Sequence, residues 1–151
     1  MNPHFFSLLM QNFLYGYGRP CDIKLIFLVM PMLFSEGTRE KFVKATKRSR
    51  MDSLFESPQI VEENKITGKS RLSGFRDRYK SLEPISKESL IILFSENKVI
   101  IEKDKIILLQ EIDYTKYKGS IREWYKAAYY LGVVFAKETN EHLSYYLGVD
   151  I

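Results

Sequence analysis

Ser120-Ile121-Arg122-Glu123-Trp124-Tyr125-Lys126-Ala127-Ala128-Tyr129-Tyr130-Leu131-Gly132-Val133-Val134-Phe135-Ala136-Lys137 reads as one long amphipathic helix. Ser120 and Glu123 have the Ser-x-x-Glu spacing of a capping box, in which each side chain satisfies a backbone N–H of the other. Trp124, Ala127, Ala128, Leu131, Val134 and Phe135 fall on one stripe at the helical period. Beyond it, Thr139 is placed to cap a final short helix and Gly148 to end it. The opposite end of the chain repeats this plan. Asn2 caps a helix, and Pro3 takes the first turn, where a missing N–H costs nothing. Phe5, Leu8, Leu9, Asn12 and Phe13 form its face, widened by Phe6, Met10 and Leu14, and Gly16 and Gly18 stop it. The Gly-Tyr-Gly follows no strand, so it is a helix end and not a phosphate loop. Both ends of the chain are therefore apolar helices with almost no reactive side chains. That disposition fits a bridging or docking subunit better than an enzyme.

Between these ends the pattern is mixed. Asp22 is placed to cap Ile23 to Phe34, which is apolar nearly all round and so reads as a central, buried element. Pro31 argues against a central strand there; a kinked helix is the reading, with a strand as the alternative. Thr38 is expected to cap a helix from Arg39 to Thr46, and a short helix from Ser49 to Glu56 ends before Pro58. Residues 58–70 are polar and without period, and read as a loop. Leu72, Phe75, Tyr79 and Leu82 return to helical spacing, and Pro84 is expected to close that helix. Ser86 then caps Lys87 to Glu96, with Ile85 and Leu90 stapled across the cap. Val99-Ile100-Ile101 and Ile106-Ile107-Leu108-Leu109, joined by Glu102-Lys103-Asp104-Lys105, give a β-hairpin signal.

Helix, turn, helix, hairpin is the order of a winged helix-turn-helix. The expected fold is thus α+β and mostly α-helical: a winged-helix-like domain with one β-hairpin and a long C-terminal helix. At 151 residues the chain is expected to be a single domain spanning 1–151. Its parts are a helical N-terminal part (1–57), a winged-helix-like part (69–110) and a C-terminal helical pair (120–149).

Candidate chemistry is sparse. The single Cys21 excludes an internal disulfide and a cysteine-based zinc site. His4 and His142 lie at opposite ends of the chain. Glu62 and Glu63 are sequence neighbours, which rarely converge on one site, and Glu123 is explained by its cap. No Walker sequence, nucleophile elbow or zinc motif occurs. The expectation is no catalytic residue, no cofactor and no metal. The longest apolar run, Leu25 to Phe34, is about half of the ~20 residues a membrane span needs. The N-terminus lacks the basic start of a secretory signal, so a cytoplasmic protein without membrane contact is expected. Aromatic residues make up 14% of the chain, and aromatics are enriched at interfaces. The exposed Tyr and Phe of the C-terminal helices are the expected docking groups.

The net charge of +4 is unevenly spread. One basic stretch runs from Arg39 to Arg50 and another from Lys65 to Lys80, with Asp52, Glu56, Glu62 and Glu63 between them. Arg39, Lys44, Lys47, Arg48, Arg50, Arg76 and Arg78 are the candidate contacts to a partner or to DNA. Such clusters track a phosphate backbone, face an acidic partner, or form solvated helix faces. The helix in the recognition position, Lys87 to Glu96, offers one lysine and two glutamates around the apolar run Leu90 to Phe94. That is a poor duplex reader and suits protein contact better.

Three quoted segments carry a family resemblance. They are the Asn2-Pro3 helix ending in Gly16-Tyr17; the run Phe27-Leu28-Val29-Met30-Pro31-Met32-Leu33 leading into Thr38-Arg39-Glu40; and Ala127-Ala128-Tyr129-Tyr130-Leu131-Gly132 with Phe135-Ala136 and Leu147-Gly148-Val149. Together they resemble the middle component of three-component ABC systems, bacterial conflict systems of the Lamassu type. Residues 51–115 match only in general character. The resemblance implies a small non-catalytic subunit of an anti-phage complex, with no catalytic residue to carry over. Its implied partners are an SMC/Rad50-like ABC ATPase that senses foreign DNA and a separate, nuclease-like effector, with DNA contact weak or indirect. A stand-alone winged-helix DNA-binding regulator is the alternative, and an enzyme with an unrecognised polar pocket is a third reading.

Overall fold

The computed structural model describes residues 2–55, 72 and 74–151. Two long helices from the chain ends form its centre: α1 (Pro3–Tyr17) packs along α7 (Gly119–Phe135) more extensively than any other pair of elements. The Asn2 side chain accepts the N–H groups of His4 and Phe5, and Gly18, at φ 77°, closes α1 by donating its N–H to the Leu14 carbonyl. Leu9, Met10 and Phe13 of α1 meet Leu131, Val134 and Phe135 of α7 in a fully buried core. The Phe13 and Phe135 rings stand edge to face, 5.8 Å apart, a favoured aromatic geometry. Gly16 does not stop the helix. It lies inside α1, where the missing side chain lets the helix touch α7 backbone to backbone.

The segment expected as one kinked helix is broken. Cys21 and Asp22 form a two-residue strand β1, and the chain then makes two short helices, α2 (Ile23–Ile26) and α3 (Val29–Leu33). Asp22 does cap α2, accepting the Lys24 N–H at 2.9 Å. Pro31 sits inside α3 and is buried. α4 (Glu36–Val43) starts at Ser35, so Thr38 is not a cap; it is buried inside the first turns. α5 (Met51–Phe55) is shorter than the Ser49–Glu56 reading. The Ser49 and Ser53 hydroxyls are used locally instead, accepting the N–H groups of Thr46 and Arg50.

The largest departure from the sequence reading is at Pro84. The two helices expected on either side of it are one 21-residue helix, α6 (Phe75–Ser95), so the helix–turn–helix step of a winged-helix order is not formed. The physical reason is placement. Pro84 and Lys80, whose carbonyl loses its intrahelical donor, are both on the exposed side of α6, where water replaces the lost bond. Ser86, expected as a cap, is buried within the helix. The expected 58–70 loop lies outside the described residues.

The hairpin forms, with a tighter turn than expected, because Glu102 and Lys105 belong to the strands and only Lys103 and Asp104 join them. β2 (Val99–Glu102) pairs with β3 (Lys105–Leu108) antiparallel, in the register Val99↔Leu108 to Glu102↔Lys105. Lys103, at φ 58°, takes the left-handed position of the turn. β1 pairs with the other edge of β3, Cys21 opposite Ile106, which gives a three-stranded sheet of order β1-β3-β2. A 3-10 turn (Tyr114–Lys116) leads into α7. α7 begins at Gly119 with no side-chain cap bond, so the Ser120–Glu123 box is not made. α8 (Asn140–Leu147) follows with the expected caps, Thr139 accepting the His142 N–H and Gly148 at φ 69°. The architecture is therefore α+β and mostly helical, with one hairpin, a small third strand and a long C-terminal helix.

Candidate interaction surfaces

The seven basic candidates divide into two groups. Four are committed to the fold. The Arg39 guanidinium lies 3.9 Å from the Trp124 ring centroid and donates to the Leu33 carbonyl at 2.9 Å. Arg50 donates to the Lys137 carbonyl at 3.3 Å, and its Nε is 3.8 Å from the Glu138 carboxylate. Arg76 donates to the Gly148 carbonyl, and the Arg78 Nε donates to that of Pro31, each at 2.9 Å. Burial lowers the Arg78 pKa. Such bonds join α6 to the end of α8 and to α3; they are ties between elements. The remaining three, Lys44, Lys47 and Arg48, are exposed, and their side chains make no hydrogen bond or ion pair with a described residue. They form a short basic rim between α4 and α5.

Behind that rim is a polar cluster that sequence reading missed. The Glu138 carboxylate, only 1% exposed, takes Arg50 on one oxygen and the His142 Nδ1 at 2.6 Å on the other. His142 Nε2 is 3.4 Å from an Asp52 oxygen, which also accepts the Tyr146 hydroxyl. Burial and the Asp52 carboxylate raise the Tyr146 pKa. The Lys137 ammonium donates to the backbone carbonyls of Lys47 and Ser49. Only the spacing of Glu138 and His142, one helical turn apart, was visible beforehand; Arg50 and Asp52 are about ninety positions away in the chain.

The surface formed by the described residues includes two clefts of similar size. One, about 390 Å³, lies beside Trp124 and is lined by Glu36, Glu40, Lys44 and Glu123. The other, about 370 Å³, runs between the end of α1 and β3; Leu14, Tyr15, Pro20, Ile107 and Leu109 make its apolar walls. Among the described residues, no three His, Cys, Asp or Glu side chains are grouped to hold a metal ion, and no helix is long and apolar enough to cross a membrane.

Apolar exposure is concentrated at the α6–hairpin end. Ile91 is 63% exposed and Phe94 53%, and Ile100, Ile101 and Leu109 of the hairpin are exposed beside them in sequence. The run Leu90 to Phe94 forces this. A helix turns 100° per residue, so Leu90 and Leu93 face the core while Ile91 and Phe94 face out. The aromatic residues of the C-terminal helices are mostly internal: Tyr125 and Phe135 are buried, Tyr129 and Tyr130 half-buried, and Tyr145 stands out at 65%.

The family model described as ABC-three component (ABC-3C) system Middle Component 3 matches the chain over residues 1–151. No curated protein and no solved structure matches.

Proposed function

We propose, from the premise that the chain belongs to the ABC-three component system Middle Component 3 family, that it is a non-catalytic bridging subunit of a bacterial defence complex. In this reading it couples a Lamassu-type, SMC/Rad50-like ABC ATPase that senses foreign DNA to a nuclease-like effector. The observation that carries the reading is the exposure of Ile91 and Phe94, one turn apart on α6. Ile91 and Phe94 lie on the outer face of α6, open to solvent. Apolar side chains so placed are the composition of a protein interface. The basic rim of Lys44, Lys47 and Arg48 supplies a second, charged contact to an acidic partner surface.

The test is co-expression of the chain with its neighbouring genes, followed by affinity purification through a tag on the chain. Stoichiometric recovery of a coiled-coil ATPase supports the reading. Recovery of the chain alone rejects it. A stand-alone DNA-binding regulator is the second reading, favoured by the open charge of Lys44, Lys47 and Arg48. It requires salt-sensitive duplex binding by the isolated chain, lost when these three are replaced together.

A further inference from the structure

We propose that α5 is a releasable arm, held against the α7–α8 corner by the polar clasp around Glu138 and able to open while the α1–α7 core stays folded. The contacts divide cleanly between two sides. Arg50, the Met51 N–H and Asp52 belong to the arm, whereas Glu138, His142 and Tyr146 belong to the corner. Glu138 Oε1 forms an ion pair with Arg50 Nε of the arm at 3.8 Å and accepts the Met51 N–H at 3.4 Å, while Oε2 faces His142 Nδ1 at 2.6 Å. Asp52 meets the corner through His142 Nε2 at 3.4 Å and the Tyr146 hydroxyl. The Lys137 ammonium reaches the root of the arm at the carbonyls of Lys47 and Ser49.

Opening this clasp leaves no buried charge alone. Glu138, the one buried carboxylate, keeps its closest partner, because His142 stands one turn away on the same side. The charges that depart are already largely in water: the Arg50 side chain is 56% exposed and that of Asp52 63%. A buried carboxylate stripped of every partner would forbid such an opening; one that retains its histidine does not. The apolar attachment is confined to one side of α5, where Leu54 also packs partly against the core. Of the five α5 residues only Met51 and Phe55 are buried, with the Phe55 ring 5.9 Å from Phe42. No described element packs broadly on α5, in contrast to the α1–α7 pair. Segments with few buried contacts open below the global unfolding free energy.

Native-state hydrogen exchange on the full chain tests this without any partner. The Met51 N–H, on Glu138, and the Leu54 N–H, on the Arg50 carbonyl, are expected to exchange at least tenfold faster than the slowest amides of α1 and α7. Asp52→Asn and Tyr146→Phe are expected to accelerate Met51 and Leu54 tenfold or more, with α1 and α7 unchanged. His142→Gln also removes the partner that Glu138 keeps in the open state, so it should accelerate them less than Asp52→Asn does. Should it fail to fold, the other two variants, at the exposed end of the clasp, carry the test. Exchange of Met51 and Leu54 in step with α1 and α7 would overturn the proposal, as would Asp52→Asn and Tyr146→Phe both leaving the arm unchanged.

Discussion

Gly16 of α1 and Gly132 of α7 mark a reciprocal backbone contact. A Cβ on Gly16 would collide with the carbonyl of Tyr129, one turn before Gly132; a Cβ on Gly132 would collide with the carbonyl of Phe13, one turn before Gly16, and lie 2.7 Å from the Tyr17 nitrogen. The atoms in the way are backbone, which cannot swing aside. Gly132→Ala is therefore expected to destabilise the fold by about 3 kcal/mol or more, read as a shift in the denaturant midpoint. Gly37, in the first turn of α4 with nothing within 4 Å, is the control. Gly37→Ala is expected to be neutral or to stabilise by up to about 1 kcal/mol. Equal effects at the two positions would show that helix propensity, and not close approach, decides the cost.

Pro84 gives a prediction of opposite sign. It removes one N–H from the middle of α6 without breaking the helix, and its ring is exposed, so little packing is lost with it. Pro84→Ala restores the bond to the Lys80 carbonyl and is expected to stabilise the protein by about 1–3 kcal/mol. A lower denaturant midpoint in the variant would mean that α6 depends on a bend at this proline.

Pro84 also shows where sequence reading stops. The elements at the chain ends were legible because their signals are local: Asn2-Pro3, Thr139 and Gly148 act within a turn of themselves, and they appear in the structure as expected. The hairpin was legible for the same reason. Whether a proline ends a helix or rides through it depends on which side faces solvent, and that is set by the packing of α6 on α1 and α3. β1 was invisible because two residues carry no period; only pairing with β3 makes Cys21 and Asp22 a strand. The basic candidates were legible as charges but not as roles. Arg39 stacks on Trp124 and Arg50 faces Glu138 across more than eighty positions of chain, and no local pattern records such partners. The outward Ile91 and Phe94 had a signal, since five consecutive apolar residues exceed one helix face.

Cys21 carries a pH dependence. It is fully buried, and burial together with the Asp22 carboxylate pushes its thiol from the ordinary 9.0 up to about 12. Between these values the unfolded chain releases this proton and the folded chain keeps it. Stability is therefore fully present below about pH 9 and falls as the pH rises toward 12. One such group contributes a slope of at most about 1.4 kcal/mol per pH unit. Tyr114, raised to about 12 by burial and by its bond with Tyr130, adds in the same direction from above its ordinary 10.0. Urea midpoints measured from pH 8 to pH 11 are expected to fall. In Cys21→Ala the part of that fall starting near pH 9 should vanish, even though the truncation lowers the midpoint at every pH. An unchanged slope would mean that the thiol ionises in the folded protein.

Ile91 and Phe94 give the sharpest separation of interface from fold. Both project from the C-terminal turns of α6 into solvent, while Leu90 and Leu93 beside them fill the core. Lysine at either outward position removes apolar contact area without opening a cavity, and it suits a helix at least as well as isoleucine or phenylalanine. The combined Ile91→Lys and Phe94→Lys change is expected to leave the denaturant midpoint within about 0.5 kcal/mol of the parent. Recovery of the ATPase in co-purification is expected to drop at least tenfold, the equivalent of about 1.4 kcal/mol of lost contact. Ile121→Lys, at an exposed apolar position on the first turn of α7, controls for the general loss of apolar surface. Full recovery with the double lysine change would remove the α6 face from the interface, and loss of recovery with Ile121→Lys alone would move that interface to the start of α7.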